Sequence, residues 1–484
     1  MKENILLTNY KDLSQEELEK LPVQELARVA REALQNWDKL NQRLSQDSTN
    51  SNRAPSTDSP EAKAKRKAEE KETLKPKHGA RNQGAQPGHK AFCKPLLELR
   101  EGDAIVVCAP DICKHCSNPL PEPTASASIR HQKIDVEIRR RVTEYQVYRT
   151  ACLFCGHTTT GSLPEGVTES GVSENVAALV GILTGVCHLS RRTTRMLLDR
   201  LFEVPVSLGT VSKLEEELTE ASAPVMDKLK KAAHSAEHGN ADETGFGLKN
   251  GKQGWLWVLV TPFAVLFQLL ANRTQECASL LLGTFSGILT TDRYGGYNRY
   301  PSEKRQLCWA HVKRDFKSMC DEGSNGHRIG LGLLRETRLV FRCWYRFQLW
   351  RNHQANVSLS SLESQLKPYR KRMLALLEEG ASLGVLKCAS ILKVEAMLWT
   401  FARVDGVEPT NNAAERALRK SVLWKKRSFG VESERGARYV EAMLSIGATC
   451  QCNGLNVVDY LRQLMTAHRL GLPTPDIFML QHSR

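Results

Sequence analysis

Between residues 22 and 46, apolar side chains return at Leu26, Ala30, Ala33, Trp37, Leu40 and Leu44, in alternating steps of four and three. That spacing is an a/d seam. It predicts a leucine-rich helix in the N-terminal segment 1–46, either a short coiled coil or an amphipathic helix packed on its own chain. From 47 to 90 large apolar residues almost vanish among Ser, Asn, Pro, Lys and Glu, and a segment unable to bury apolar surface reads as a flexible basic linker. Alternation resumes in IDVEIRRRVTEYQVYRTAC, which predicts strands of a basic sheet. Next, SRRTTRMLLDRLF and SLGTVSKLEEEL are joined by EVPV, predicting a helical region over 166–235. This is either a helix-turn-helix presenting Thr210, Ser212 and Lys213 to a DNA groove, or two helices simply packed together.

The pattern from residue 236 is more specific. GNADETGFG, GWLWVLVTP and AVLFQLLA read as three strands, with a turn at KNGKQG after the first. NRTQECASLLLGTF reads as a helix, and GILTTDRYGGY and RQLCWAHVKRDF as further strands. Three antiparallel strands, a helix and further strands form the order of a ribonuclease H-like core, the fold of retroviral integrases. The first strand of that core carries an aspartate in its middle, the position of Asp242, and the fourth strand ends at another, the position of Asp292. Successive strand side chains point to opposite faces, so Glu243 is expected to face away from Asp242. Helical periodicity then runs through GLGLLRETRLVFRCWYRFQLW and SLESQLKPYRKRMLALLEEG, an inserted helical domain at 321–401. Beyond it, PTNNAAERALRKSVLWKKRSFG supplies Glu415 on a helix, with Asn411 or Asn412 as N-cap.

The resulting division is 1–46, 47–90, a zinc ribbon at 91–165, 166–235, a first core segment at 236–320, 321–401, the glutamate helix and the rest of the core at 402–450, and a helical tail at 451–484. The fold class is multidomain α+β. A net charge of +14 and a pI near 9.1 favour a polyanionic partner, first of all nucleic acid. No apolar run reaches membrane-spanning length and the first residues lack the order of a signal peptide, so a cytoplasmic, nucleoid-associated protein without membrane contact is expected. The 14 cysteines are then expected to be reduced or metal-bound. Cys113 with Cys116, and Cys152 with Cys155, form two CxxC pairs suited to a tetrahedral structural zinc ion; His115 and His157 flank them as alternative ligands.

Three carboxylates suit phosphoryl transfer because hard magnesium or manganese ions take oxygen ligands and can sit in pairs. Basic residues around the third acid supply a phosphate grip on DNA: Arg416, Arg419, Lys420, Lys425, Lys426 and Arg427, with Arg435 and Arg438 a little further on. Such a helix is equally read as a salt-bridged surface helix from its own segment alone.

The strings ADETGF, GWLWV, TTDRYGGY, CWAHVKRDF, PTNNAAERALRKSVLWKKRSFG and SIGATCQCNG, in this order, resemble bacterial insertion-sequence transposases of family sixty-six. The likeness extends upstream through PGHK, the cysteine pairs and the N-terminal helix. It implies a DDE transposase whose acids are Asp242, Asp292 and Glu415, cutting DNA at element ends and joining the freed 3′-hydroxyl to target DNA. It also places Cys308, Trp309 and His311 of CWAH near the site, with Lys313 and Arg314 as DNA contacts, His311 touching a phosphate, orienting a carboxylate or merely packing at a strand end. A homo-oligomer bound to terminal inverted repeats, working with accessory proteins of the same element, is implied. Phe246 stands where tryptophan is common in the family. The alternatives are a nuclease on the same core and a catalytically silent DNA-binding regulator.

Overall fold

The computed structural model describes residues 22–44, 59–61, 63–64, 68, 96–100, 102–122, 129–136, 138–248, 251–353, 358–428 and 430–479. They belong to two compact units, one at 68–143 and the other comprising the rest. Helix α1, Val23–Leu44, forms where the seam predicts it, with Leu26, Ala30, Ala33 and Trp37 exposed. Inside the segment read as a linker, residues 60, 61, 63, 64 and 68 are helical. This corrects the reading at those positions: EAKAKRKAEEKE is rich in strong helix formers, a local preference that needs no core. The rest of the linker expectation lies outside the described residues.

In unit 68–143, paired bonds join Leu97 and Gln132 at 2.8 Å, and no described residue there belongs to a strand. The alternating Ile134, Val136, Ile138 and Val142 are exposed. The sheet expected between the cysteine pairs is therefore reduced, because alternation makes a strand only where a partner covers its apolar face. What forms is a short hairpin of β1, Arg149–Ala151, with β2, Thr158–Thr160.

The larger unit is organised on a five-stranded sheet of β3 (His238–Gly247), β4 (Gln253–Val260), β5 (Val265–Leu270), β6 (Ile288–Thr291) and β7 (Arg305–Leu307), in the order β5-β4-β3-β6-β7. The first three strands run antiparallel; β6 and β7 add parallel to β3. This is the ribonuclease H-like order. Between β5 and β6 lies α5, Gln275–Leu282, opened by Thr274 as N-cap.

One apolar cluster joins the sheet to helices from both ends of the unit. These are α2 (Glu174–Val180, continued by a π-turn to Val186), α3 (Arg191–Arg200), α4 (Leu208–His234), α10 (Asn412–Ser428), α11 (Glu434–Cys452) and α12 (Val457–Arg469). The region 166–235 thus shares its core with the sheet. Ser190 and Ser207 cap α3 and α4 as helix-start residues should, but α4 buries Val211, Leu214, Leu218, Val225 and Leu229. Ser212 accepts a bond from Arg435, and Thr210 is half-buried against Ser207. Of the three residues expected in a groove only Lys213 is exposed, because an apolar stripe running the length of α4 commits it to the core.

Helix α11 also closes the sheet's open edge. The N–H groups of Val265, Phe267 and Leu269 donate to Thr449 Oγ1, Ser445 Oγ and Glu441 Oε1 at 3.0, 2.9 and 2.6 Å. Four helical residues rise about 6 Å and two strand residues about 6.6 Å, so side chains four apart on α11 meet alternate amides of β5. An edge that would otherwise offer unpaired amides is covered.

A second apolar cluster begins at Leu307 and runs to Val407. It is built from α6 (Trp309–Met319), α7 (Gly323–His353), α8 (Leu359–Ser382) and α9 (Leu386–Leu392). The string CWAHVKRDF is accordingly helix and not strand: Trp309, Val312, Phe316 and Met319 recur at three and four residues and are all buried.

His188 occupies the left-handed region at φ 58° and stacks on Trp424 of α10 at 4.6 Å. Burial pulls its pKa down from 6.5 to about 4. A histidine held neutral by folding leaves stability intact above pH 6.5 and removes it as pH falls toward 4, by about 3 kcal/mol. In His188→Asn, a residue tolerant of positive φ, the loss of stability between pH 7.5 and 4, read from urea midpoints, is expected to be smaller than in the parent.

Candidate active site

The sheet register brings the first two acids together. Asn240 pairs with Thr290, and Thr290 with Gln306, so two residues onward Asp242 on β3 comes level with Asp292 and Cys308, which directly follow β6 and β7. Asp292 is held by the N–H of Tyr294 at 2.8 Å, and the buried Arg305 donates to its carbonyl and to Thr291 Oγ1. Glu415 stands in the first turn of α10, the helix that crosses β3 and β4. Burial raises the Asp242 carboxyl well above the usual range, and Glu243, Asp292 and Glu415 add like-charge repulsion. Asp242 thus lies within electrostatic reach of the other two acids.

Asn411 is the joint that brings α10 there. It is wholly buried. Its side chain donates to Ala241 O at 2.8 Å and accepts from Asn240 Nδ2 at 3.1 Å, while its N–H donates to Cys308 Sγ at 3.1 Å. Its carbonyl accepts the N–H of Glu415. Asn411 thus occupies the N-cap position of α10 yet spends its amide on β3, next to Asp242. The Trp309 N–H adds a bond to Pro409 O at 2.9 Å. At the far side Gly430, at φ 113°, lets the chain leaving α10 lie against Gly247, where any Cβ would meet the carbonyl at 2.2 Å.

Cys308, His311 and Glu415 bring ligand atoms within 4.8 Å of one another. His311 Nδ1 lies 3.7 Å from Glu415 Oε1, and both atoms are buried without a hydrogen-bond partner. Burial pulls the His311 pKa down, which keeps the ring neutral. The Cys308 thiol is pushed up to about 11, chiefly by burial, so it serves as a neutral acceptor for Asn411.

Glu243 takes the opposite face, where Arg273 pairs with it at 2.6 Å and Tyr297 donates to it at 2.6 Å. The Arg273 guanidinium is held between Trp255 and Tyr294, at 5.1 and 3.9 Å from their ring centres. On α6 and α10, Lys313, Arg416, Arg419, Lys426 and Arg427 are exposed and Arg314 is half-buried. Lys425 does not belong with them: its Nζ donates to Gly245 O at 2.6 Å, fastening α10 to β3. Lys420 is engaged by Gln451, Arg435 by Glu216 and Arg438 by Glu434. The sequence places Cys308 near the site and Asn411 at the helix start, but not the bonds by which they tie α10 to β3. The paired asparagines of PTNNAAER were the available signal, since two amides before a helix exceed what one cap requires.

Each CxxC pair forms a tight turn by itself. Ser117 N–H returns to Cys113 O and Gly156 N–H to Cys152 O, both at 2.8 Å, with Ser117 and Gly156 at positive φ. Backbone N–H groups of Cys116 and His115 lower the pKa of Cys113, and those of Cys155 and Phe154 lower that of Cys152, as metal-binding thiolates require. Among the described residues no helix is long and apolar enough to cross a membrane.

A family model described as Transposase IS66 family matches residues 176–439, and one described as a family of unknown function matches residues 8–94. The chain is 25% identical over 274 residues to uncharacterized protein y4qI of Sinorhizobium fredii (strain NBRC 101917 / NGR234), covering 49% of each. It is 22% identical over 407 residues to uncharacterized protein y4hP of the same strain, covering 77% of this chain and 73% of that relative. The chain thus spans about half the length of the first relative. Among solved structures, the crystal structure of the Mos1 strand transfer complex is similar at 12% identity and a TM-score of 0.11, over 28% of this chain and 54% of that one.

Proposed function

The chain belongs to the IS66 transposase family, and from that premise we propose that Asp242, Asp292 and Glu415 hold magnesium or manganese ions for cleavage and joining of DNA strands. The observation that carries this reading is the buried Asp242, whose pKa is raised chiefly by burial and further by the carboxylates near it, a repulsion that a cation relieves. Carboxylate oxygens are the donors such hard ions take, and the unpartnered Oε1 of Glu415 is suited to the same use. When bound, the ions supply charge neutralisation at the attacking and leaving oxygens of the phosphodiester.

The protein's part is placement. Asn411 and Cys308 hold the glutamate helix against β3, and His311 lies beside Glu415. Exposed Lys313, Arg416, Arg419, Lys426 and Arg427, with Arg314, contact phosphates, favouring DNA through counterion release. Water is the nucleophile when an element end is cut, and the released 3′-hydroxyl attacks target DNA in the same site. No protein side chain becomes covalently joined to DNA. Helix α1 assembles copies of the chain, accessory proteins of the element assist, and the cytoplasmic nucleoid is the setting. With terminal-repeat duplexes and magnesium, joined strand-transfer products are expected; cleavage alone would replace this reading with a nuclease.

Each CxxC turn is proposed to offer its two thiolates to zinc. Metal analysis of the purified chain is expected to return zinc, diminished in Cys113→Ser and released by a thiol-modifying reagent. Absence of zinc from freshly purified parent protein would contradict this.

A further inference from the structure

Helix α7 has two unlike faces. Ile329, Leu333, Val340, Cys343 and Phe347 are buried in the core of the inserted helices. On the outer face, Arg335, Arg338, Arg342 and Arg346 are exposed in steps of three and four, which puts them in one row. Tyr345 and Trp350 are exposed beside them, and Arg346 lies over Trp350 at 5.4 Å.

The row contrasts with the other arginines around it. Arg328 pairs with Glu379, Arg351 with Asp405, Arg370 with Glu395 and Arg372 with Glu336. Among the described residues no ion pair engages the four on the outer face of α7. The single acid within α7, Glu336, is buried and taken by Arg372. Like charges three and four apart on a helix repel, so the row is unfavourable for the chain alone. A repeated cation with an aromatic among it, and no acid, is complementary to a polyanion.

We propose that this face of the inserted helical domain is a second DNA-binding surface, taking the phosphate backbone of duplex DNA outside the carboxylate site. From Arg335 to Arg346 the row extends roughly 16 Å at the helical rise, about five base pairs along a strand. A phosphate track relieves the repulsion within the row, and Tyr345 contributes planar contact beside it. This inference rests on the transposase reading for its choice of DNA over other polyanions.

The test is binding of a fluorescein-labelled duplex of arbitrary sequence to the full-length chain in buffer without added magnesium or manganese, followed by anisotropy across a salt series. In R335Q/R338Q/R342Q the slope of log affinity against log salt is expected to become shallower by about 2.7, from three lost phosphate contacts. R335K/R338K/R342K is expected to retain the parent slope. Thermal stability of the glutamine variant is expected to equal or exceed the parent's, since repulsion is removed and no buried contact is lost; a purely structural row would lower it. An unchanged slope in the glutamine variant, or an equal loss in the lysine variant, overturns the proposal. The carboxylate reading is judged separately: cleavage surviving in Asp242→Asn would remove that reading, whereas the slope is measured without added magnesium or manganese and without cleavage.

Discussion

Glu415→Gln is expected to lower end cleavage and strand transfer by roughly a thousandfold or more, the several kcal/mol that charge stabilisation at such a site supplies, while leaving affinity for terminal-repeat DNA within a few-fold. Glutamine keeps the volume and the helix but withdraws the charge that would hold an ion beside Asp242 and Asp292. The acid lies in the first turn of α10, where a negative charge favours the helix by about 0.5 kcal/mol; its repulsion of Asp242 acts the other way. Net stability should therefore change little, and the loss of activity is not a loss of fold. Single-turnover cleavage, strand-transfer gels and thermal unfolding separate these effects. A variant with full strand transfer would remove Glu415 from the triad and leave the sheet intact.

Asn411→Leu is expected to do two things at once. It deprives the buried Ala241 carbonyl of a side-chain donor and Asn240 of the nearer of its two acceptors. Each stranded polar group costs about 1–3 kcal/mol, so a loss of roughly 2–5 kcal/mol is expected by chemical denaturation. It also frees the start of α10 from β3, and a displacement near 1 Å at a reacting centre costs on the order of a hundredfold in rate. Measured at a temperature where both proteins are folded, cleavage should fall by about that factor with DNA affinity retained. The backbone bond to Cys308 Sγ survives the substitution, so the helix loosens without detaching. An N411L variant as stable and active as the parent would show that the amide clamps nothing.

Strand identity was readable wherever the local pattern is self-sufficient. The strands β3 to β6 follow the apolar runs around GWLWVLV and VLFQLL, and Asp242 and Asp292 stand at the strand positions the pattern assigns. The turn at Cys308 was misread because a three-residue strand, β7, passes directly into α6. A run that short has no period of its own, whereas the helical recurrence of Trp309, Val312, Phe316 and Met319 was present in the string. By sequence Lys425 reads as a phosphate contact, since a lysine in a basic segment looks solvent-facing, and only the close approach of α10 to β3 makes Gly245 O its partner.

Local periods were legible in the chain before any fold was known: the heptad-spaced N-terminal helix, the strand run of the core, the basic glutamate helix and the two CxxC turns. Each is set by backbone geometry acting over a few residues. Partnership across the chain was legible only once the chain had folded. Asn411 reaches Ala241 over 170 residues and Ser445 reaches Phe267 over 178, with the insertion lying between Asp292 and Glu415. Helix α4 joins the core and not a groove because α11 and the sheet lie against its apolar stripe. No local pattern carries such pairings, since they depend on which distant surfaces fit together once apolar area is buried.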